Sequence, residues 1–393
     1  MATSGVEPDT LWSRCEDFIL PFLCPRELAI LAGVGLRFKD LTEIEAKRRV
    51  QLLKWASSLG VQATPGSSWA LLAHALFLQQ CCCSSTALNQ SDLSLLHTRV
   101  VELKASDEKY EGIELEVLFE DVRKAARPCL SVELGVGDDY SEVGCSRSGG
   151  LPDLPPGMKW PCSTWHPGSE GRTGLPLLDV PGRSVAVAPL EVEGGEAYPL
   201  TFVAQINLEE AARAYGDPAA NPLPPHGVLY IFFGHVFDRE EARVLFHPGP
   251  VDTSLTLSQP LNRCDFDEPS PDGGYAARRL NLRRGLLQLY LDRPDADEVN
   301  PIPDWTDATN TLFDNCGFGS RMLGPPCTEA CGAVDRALHI ALLHVPSWGD
   351  MNWGDAQYIS LSLDARSLIR RDFSELVVHQ DDYQPVFDQP WNA

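Results

Sequence analysis

Positive charge is in short supply in this sequence relative to negative charge. Its 32 Lys and Arg face 55 Asp and Glu, for a formal net charge of −23. Phosphate backbones are bound by clustered Lys and Arg, so the deficit argues against a nucleic-acid partner. It argues in the same way against an anionic membrane surface. The one dense basic cluster, Lys47-Arg48-Arg49, reads as the solvated face of a helix. Long apolar runs are missing too, and nothing approaches the ~20 residues a membrane-spanning helix needs. The first residues carry neither a basic stretch nor an apolar one, so no secretory signal is visible. These absences point to the cytoplasm or nucleus. Catalytic signatures are equally thin. There is no Gly-x-Ser-x-Gly elbow, and the glycines at 33 and 35 lack the third glycine and the preceding strand of a dinucleotide loop. No cofactor is expected.

What is present is an ordinary globular composition, 44% hydrophobic over 393 residues. That length suggests about two or three domains. The twelve cysteines read as reduced thiols in an intracellular setting. Cys327 and Cys331, with Cys316, His339 and His344 further off, supply one zinc-like pair and lack the second, so no metal is assigned. Asp304, Asp307, Asp350 and Asp355 invite a cation or hydrolase reading. The doubled Trp-Gly-Asp at 348–350 and 353–355 is more simply turn chemistry ahead of a strand. Cys162 and His166 are close in sequence, which does not make a dyad.

The pattern divides the chain into a helical module at 1–63, a helix and linker at 64–98, and a β-rich domain at 99–393. Early helices break at Pro21 and Pro25, and a longer one starts near Thr42 with Glu45 completing a capping box. Residues 69–80 are apolar nearly all round and predict a buried helix. Residues 84–98 read as a linker with a short helix. Residues 100–102 suggest strand, residues 113–119 strand or helix, and residues 130–134 a half-buried strand. Residues 200–206 predict a buried strand, followed by a helix over 208–215 with Asn207 as N-cap and Glu210 as its reciprocal partner. Residues 227–236 are apolar on both faces, as a central strand should be. Residues 243–247 form the neighbouring strand across a turn at 238–241. Residues 258–285 read as loop-rich and 286–291 as a short strand. Strands at 339–345 and 358–363 and a helix capped by Asp364 close the domain. The fold class expected is α+β, a helical N-terminal module followed by a mostly antiparallel, β-rich domain.

The most distinctive stretch is 146–161, with Gly149-Gly150, four prolines, Leu151, Leu154, Met158 and Trp160. It is an irregular ordered loop, either a structural cover on the core or one wall of a groove. Gln205 is the other outlier, an amide inside an apolar strand that needs a partner when buried.

Two resemblances follow. Residues 125–380 resemble the YwqG-like family, a domain of unknown function. The matching pieces come in the family's order: Ala126-Arg127-Pro128 before a strand, the 146–161 loop, Phe202-Val203-Ala204-Gln205-Ile206-Asn207-Leu208, and Leu223-Pro224-Pro225-His226-Gly227. After these come Arg321-Met322-Leu323-Gly324-Pro325 and Trp353-Gly354-Asp355. The resemblance implies a mixed, mostly antiparallel domain and no established activity. Around 292–318 the spacing departs from the family, as an insertion would. Residues 18–41 resemble a degenerate F-box, with Phe22, Leu23, Pro25, Leu28 and Leu31 as partner-binding positions. That resemblance implies docking to a Skp-type adaptor of a cullin ubiquitin ligase. The expected function is a non-enzymatic interaction or adaptor protein. The alternative is a ligand-binding or hydrolytic YwqG-like protein with a structural helical extension. Its pocket would be lined by Gly149, Gly150, Trp160, Gln205, Trp353 and Asp355 and would hold a small molecule or protein not identifiable from sequence.

Overall fold

A computed structural model describes residues 69–83, 85–106, 108–163, 179–191, 198–218, 221–236, 239–260, 275–288, 312–313, 320–326, 338–347, 351 and 358–381. The chain divides into two compact units, Met1–Gln80 and Cys81–Ala393. The first is represented by most of helix α1 (Trp69–Cys83), where the predicted buried helix lies, with Leu72, Ala75 and Leu76 shut off from solvent. No helix among the described residues is long and apolar enough to cross a membrane.

The second unit starts with α2 (Gln90–Ser106) and α3 (Leu115–Ala125). The strand expected at 100–102 is therefore helix. Leu96, Val100 and Leu103 are the buried hydrophobic residues of that helix, spaced four and three apart. That makes one helical stripe, which the Val-Val-Glu triplet at 100–102 masks when read alone. In α3, Leu118, Val122 and Ala125 repeat that spacing, and the ambiguous 113–119 segment resolves as helix from residue 115 onward. Both helices share a core with Ala126 and Leu286 of the sheet below.

The strands are β1 (Ala126–Gly137), β2 (Arg147–Ser148), β3 (Asp153–Leu154), β4 (Cys162–Ser163), β5 (Ala186–Ala188), β6 (Tyr198–Pro199) and β7 (Thr201–Asn207). After helix α4 (Leu208–Tyr215) come β8 (Val228–Val236), β9 (Arg239–His247), β10 (Thr256–Pro260), β11 (Arg278–Gln288), β12 (Arg321–Met322), β13 (His339–Pro346) and β14 (Tyr358–Asp364). Helix α5 (Ala365–Arg370) and β15 (Val377–Asp381) complete the described elements. Ten strands form one sheet in the order β15-β14-β13-β12-β1-β11-β2-β7-β8-β9. Every pairing in it is antiparallel. The sheet curls until its edge strands β9 and β15 meet, where Phe246 packs on Phe373 with ring centroids 5.8 Å apart. The α+β class and the antiparallel pairing are as the sequence led us to expect, and the curling into a nearly closed barrel is what the structure adds. A three-stranded layer, β3-β10-β5, lies apart from it in the strand pairing.

Strand β8 is central, as its double apolar face required, with β7 and β9 on either side. Two expectations fail nearby. Residues 239–241 are not turn but the start of β9, paired up to Val236↔Arg239. The segment thought loop-rich at 258–285 contains the end of β10 and most of β11. The Arg278–Gln288 strand is rich in arginine, which hides its period of two. Its cations are used against acids of neighbouring elements: Arg283 pairs with Glu133 at 2.6 Å, and Arg284 with Asp92 of α2 at 2.7 Å.

Candidate functional site

The 146–161 loop enters the main sheet before it leaves it. Arg147 and Ser148 slot between β11 and β7, with Arg147 opposite both Arg279 and Gln205. The chain then turns sharply through Gly149 and Gly150, at φ +67° and +64°. Side chains are disfavoured there on backbone grounds alone. They are also excluded by space. A Cβ on Gly149 would sit 2.5 Å from the Ala276 carbonyl oxygen, and one on Gly150 would sit 2.0 Å from the Tyr140 hydroxyl. The two N–H groups donate to the Val203 and Tyr275 carbonyls at 3.0 and 2.8 Å. These glycines let two backbones meet; they do not open a groove.

The turn delivers Asp153 to a buried ionic cluster. Arg147 and Asp153 are both 0% exposed, as is the Asp138 side chain. Arg147 Nε lies 2.8 Å from Asp138 Oδ2, and its Nη2 lies 2.9 Å from Asp153 Oδ2. The guanidinium also donates to the Leu151 and Glu142 carbonyls and sits 4.8 Å above the Tyr140 ring. Asp153 Oδ2 accepts from the Gly144 N–H at 2.8 Å and from Gln205 Nε2 at 3.2 Å, while Oδ1 faces Arg183 at 3.1 Å. Asp138 Oδ1 accepts from the Tyr140 N–H and from Arg279 Nε. Burial works against the charge on Arg147, yet Asp153, the Cys145 sulfur and Asp138 outweigh it and hold the guanidinium pKa above its usual value. Burial pushes the Cys145 thiol up to about 11, although Arg147 pulls the other way. Burial and the neighbouring Asp153 charge raise Tyr230, whose hydroxyl donates to the Asp153 carbonyl at 2.6 Å.

Gln205 completes this cluster. It is 0% exposed, its Oε1 accepts from the Asp153 N–H at 2.8 Å, and its Nε2 donates to the Cys145 carbonyl at 2.7 Å. The amide needed a partner, and the partner is the loop itself. Asn207 extends the same tie. Its Oδ1 caps α4 at the N–H groups of Glu209 and Glu210, and its own N–H donates to Ser146 Oγ. Glu210 is not the reciprocal partner that the capping pattern predicted. It accepts instead from the Ser146 N–H at 3.1 Å, because the loop supplies the Asn207 N–H with an acceptor.

Of the pocket residues expected from sequence, Gly149, Gly150 and Gln205 do converge with the loop. They do so as a closed clamp whose carboxylate oxygens are occupied by protein donors. Trp160 belongs to a different core. It stacks edge-on against Phe232 at 5.0 Å and donates from Nε1 to the Leu200 carbonyl at 2.9 Å. Trp353 and Asp355 lie outside the described residues, as do Asp304, Asp307, Asp350, Cys316, Cys327, Cys331 and His166. So do Phe22, Leu23, Pro25, Leu28 and Leu31. Sequence reasoning passed over Asp138, Arg147, Arg183 and Arg279. The one local cue was Asp153 itself, an acid held between Leu-Pro pairs with no local donor of its own. Among the described residues no group of three or more His, Cys, Asp and Glu is placed to hold a metal ion, and the six described cysteines are thiols outside any disulfide.

No curated protein matches the sequence. A family model described as a domain of unknown function, DUF1963, matches residues 146–381, more than half of the chain. It begins at Ser146, the first residue of the clamp loop, and supports the YwqG-like resemblance over that span. It does not extend to residues 18–41. The chain therefore belongs to the DUF1963 family.

Proposed function

We propose that this protein is a non-enzymatic interaction protein in which the DUF1963 domain is a rigid recognition platform and residues 18–41 dock a Skp-type adaptor of a cullin ubiquitin ligase. The observation that carries the first half is the closed clamp. Asp138, Asp153, Arg147 and Gln205 are consumed in fixing one loop conformation. A charged set spent on holding its own backbone contributes shape, and shape is what a binding module must hold constant. The second half rests on the sequence. An F-box-like run precedes a domain that would present the substrate, and that order suits a recognition subunit. The test is a pull-down of the full chain with a Skp-type adaptor, alongside Leu23→Ala combined with Leu28→Ala. Capture that the double substitution abolishes supports the ligase role. No capture, or capture indifferent to the substitution, removes it.

A further inference from the structure

The large sheet falls into three panels. Two of its strands, β2 and β12, are 2 residues long. On either side of them lie β15-β14-β13, β1-β11 and β7-β8-β9. Within a panel the strands pair along most of their length. The joint at β2 is reinforced, because Arg147 is the centre of the buried clamp. The joint at β12 is built differently. β1 meets it at Leu130 and Ser131, and β13 meets it at His344. Directly after it the backbone turns through Leu323 and Gly324, at φ +63° and +93°. The Leu323 N–H donates to the Ala341 carbonyl of β13 at 2.8 Å, and the Ala341 N–H donates to the Gly324 carbonyl at 3.0 Å. A leucine at positive φ holds backbone strain.

The far edge of the first panel closes the barrel without a ladder. Strands β15 and β9 face one another, yet among the described residues no backbone hydrogen bond joins them. Side chains make the join. Phe373, from the turn between α5 and β15, packs on Phe246 of β9, and the Arg371 guanidinium lies 5.8 Å from the centre of the Phe246 ring. Arg371 sits at φ +59°, where its N–H closes the end of α5 on the Leu368 carbonyl at 3.0 Å. Phe373 is buried. Unpaired strand edges are normally covered or blunted. Here an aromatic pair and one cation–π contact cover two edges at once, a weak closure beside a ladder of backbone bonds.

We propose that β13-β14-β15 with α5 is a hinged panel, turning at Leu323–Gly324 and latched by Phe373 on Phe246. Hinges are a few element-terminal residues that absorb a change in φ and ψ, and these two follow a two-residue strand. Helix α5 travels with the panel, since it continues directly from β14 and packs against it. Met351, between β13 and β14, lies against Gly149 of the clamp loop, and its flexible thioether side chain lets that contact slide. Opening breaks no ladder within a panel. It uncovers Phe246 and the outer edge of β9. Arg147 on β2 and Gln205 on β7 keep the clamp shut in the rest of the sheet. The device is independent of the adaptor reading, and a failed pull-down leaves it standing.

The experiment uses the full chain, with para-fluorophenylalanine replacing Phe246 alone and fluorine NMR relaxation dispersion as the readout. The para fluorine lies on the ring axis, so ring flips do not move it. The probe should exchange between a major packed environment and a minor exposed one, on the microsecond-to-millisecond scale of hinge motions. The decisive perturbation is remote from the probe. Gly324→Ala puts a Cβ on the closed backbone at φ +93°, 3.3 Å from Leu287. It should raise the exposed population at position 246 about fivefold or more, because a left-handed backbone disfavours a side chain. If Gly324→Ala does not fold, the dispersion of the otherwise unaltered chain decides alone. A single packed environment without dispersion overturns the proposal. So does an exposed population that Gly324→Ala leaves unchanged, since the latch would then open without the hinge.

Discussion

Removing Asp153 tests the clamp most directly. Its carboxylate meets Arg147 at 2.9 Å, the Gly144 N–H at 2.8 Å, Gln205 Nε2 at 3.2 Å and Arg183 at 3.1 Å. Asp153→Ala leaves Arg147, which is 0% exposed, with Asp138 as its one remaining carboxylate partner. Breaking a buried pair from one side costs about 3–5 kcal/mol. The Gly144 N–H is orphaned at the same time, at roughly 1–3 kcal/mol if nothing replaces the acceptor, while Gln205 Nε2 loses its longer contact and keeps the Cys145 carbonyl. These contributions overlap, and we expect a loss of about 5 kcal/mol, a large part of the ~5–15 kcal/mol that holds a typical domain folded. Asp153→Asn keeps the shape and one acceptor oxygen and should lose about half as much. The measurement is urea unfolding of the full chain, followed by circular dichroism and by tryptophan fluorescence, to which the buried Trp160 contributes. The Asp153→Asn effect should persist at 1 M salt, since buried pairs are little screened. A loss below about 1 kcal/mol for Asp153→Ala, or one that salt erases, would show that water reaches the cluster and that the clamp argument is wrong.

Two further outcomes follow from the same region. Gly150→Ala combines a left-handed backbone, φ +64°, with a Cβ 2.0 Å from the Tyr140 hydroxyl and 2.7 Å from Ala277 Cβ. It should cost about 3 kcal/mol, and pairing it with Tyr140→Phe should recover only the part due to the hydroxyl, as a double-mutant cycle by urea unfolding would show. Cys145 should resist iodoacetamide at pH 8 in the folded protein and react after unfolding, read by peptide mass spectrometry. Its folded pKa of about 11 lies above the reference value of 9.0. Its contribution to stability is therefore complete below pH 9 and falls as pH rises toward 11, and Cys145→Ser should remove that decline.

Short-range signals were legible wherever the residues answer to their own neighbours in the chain. Asn207 caps α4 and Asp364 caps α5 because a cap needs only the N–H groups two or three residues on. Strand β8 is central because both of its faces are apolar. The signals failed where a polar residue's partner is far away. Arginines of β11 read as loop because Asp92 and Glu133, 192 and 150 residues distant, cannot be paired with Arg284 and Arg283 from sequence. Glu210 read as a capping partner because Ser146, 64 residues away, was not in view.

The sequence by itself determined the class of fold, the family and the importance of the 146–161 loop. Composition, periodicity and turn chemistry are local properties, and they suffice for those. Whether that loop shapes a groove was a tertiary question. Its glycines face the Ala276 carbonyl and the Tyr140 hydroxyl, and Gln205 turns its amide onto Asp153 and Cys145. The loop is a clamp because charges separated along the chain desolvate one another only once the sheet has brought β1, β2, β7 and β11 side by side. The seam between β9 and β15 has the same origin. Phe246 and Phe373 meet only because the curled sheet brings its two edges together.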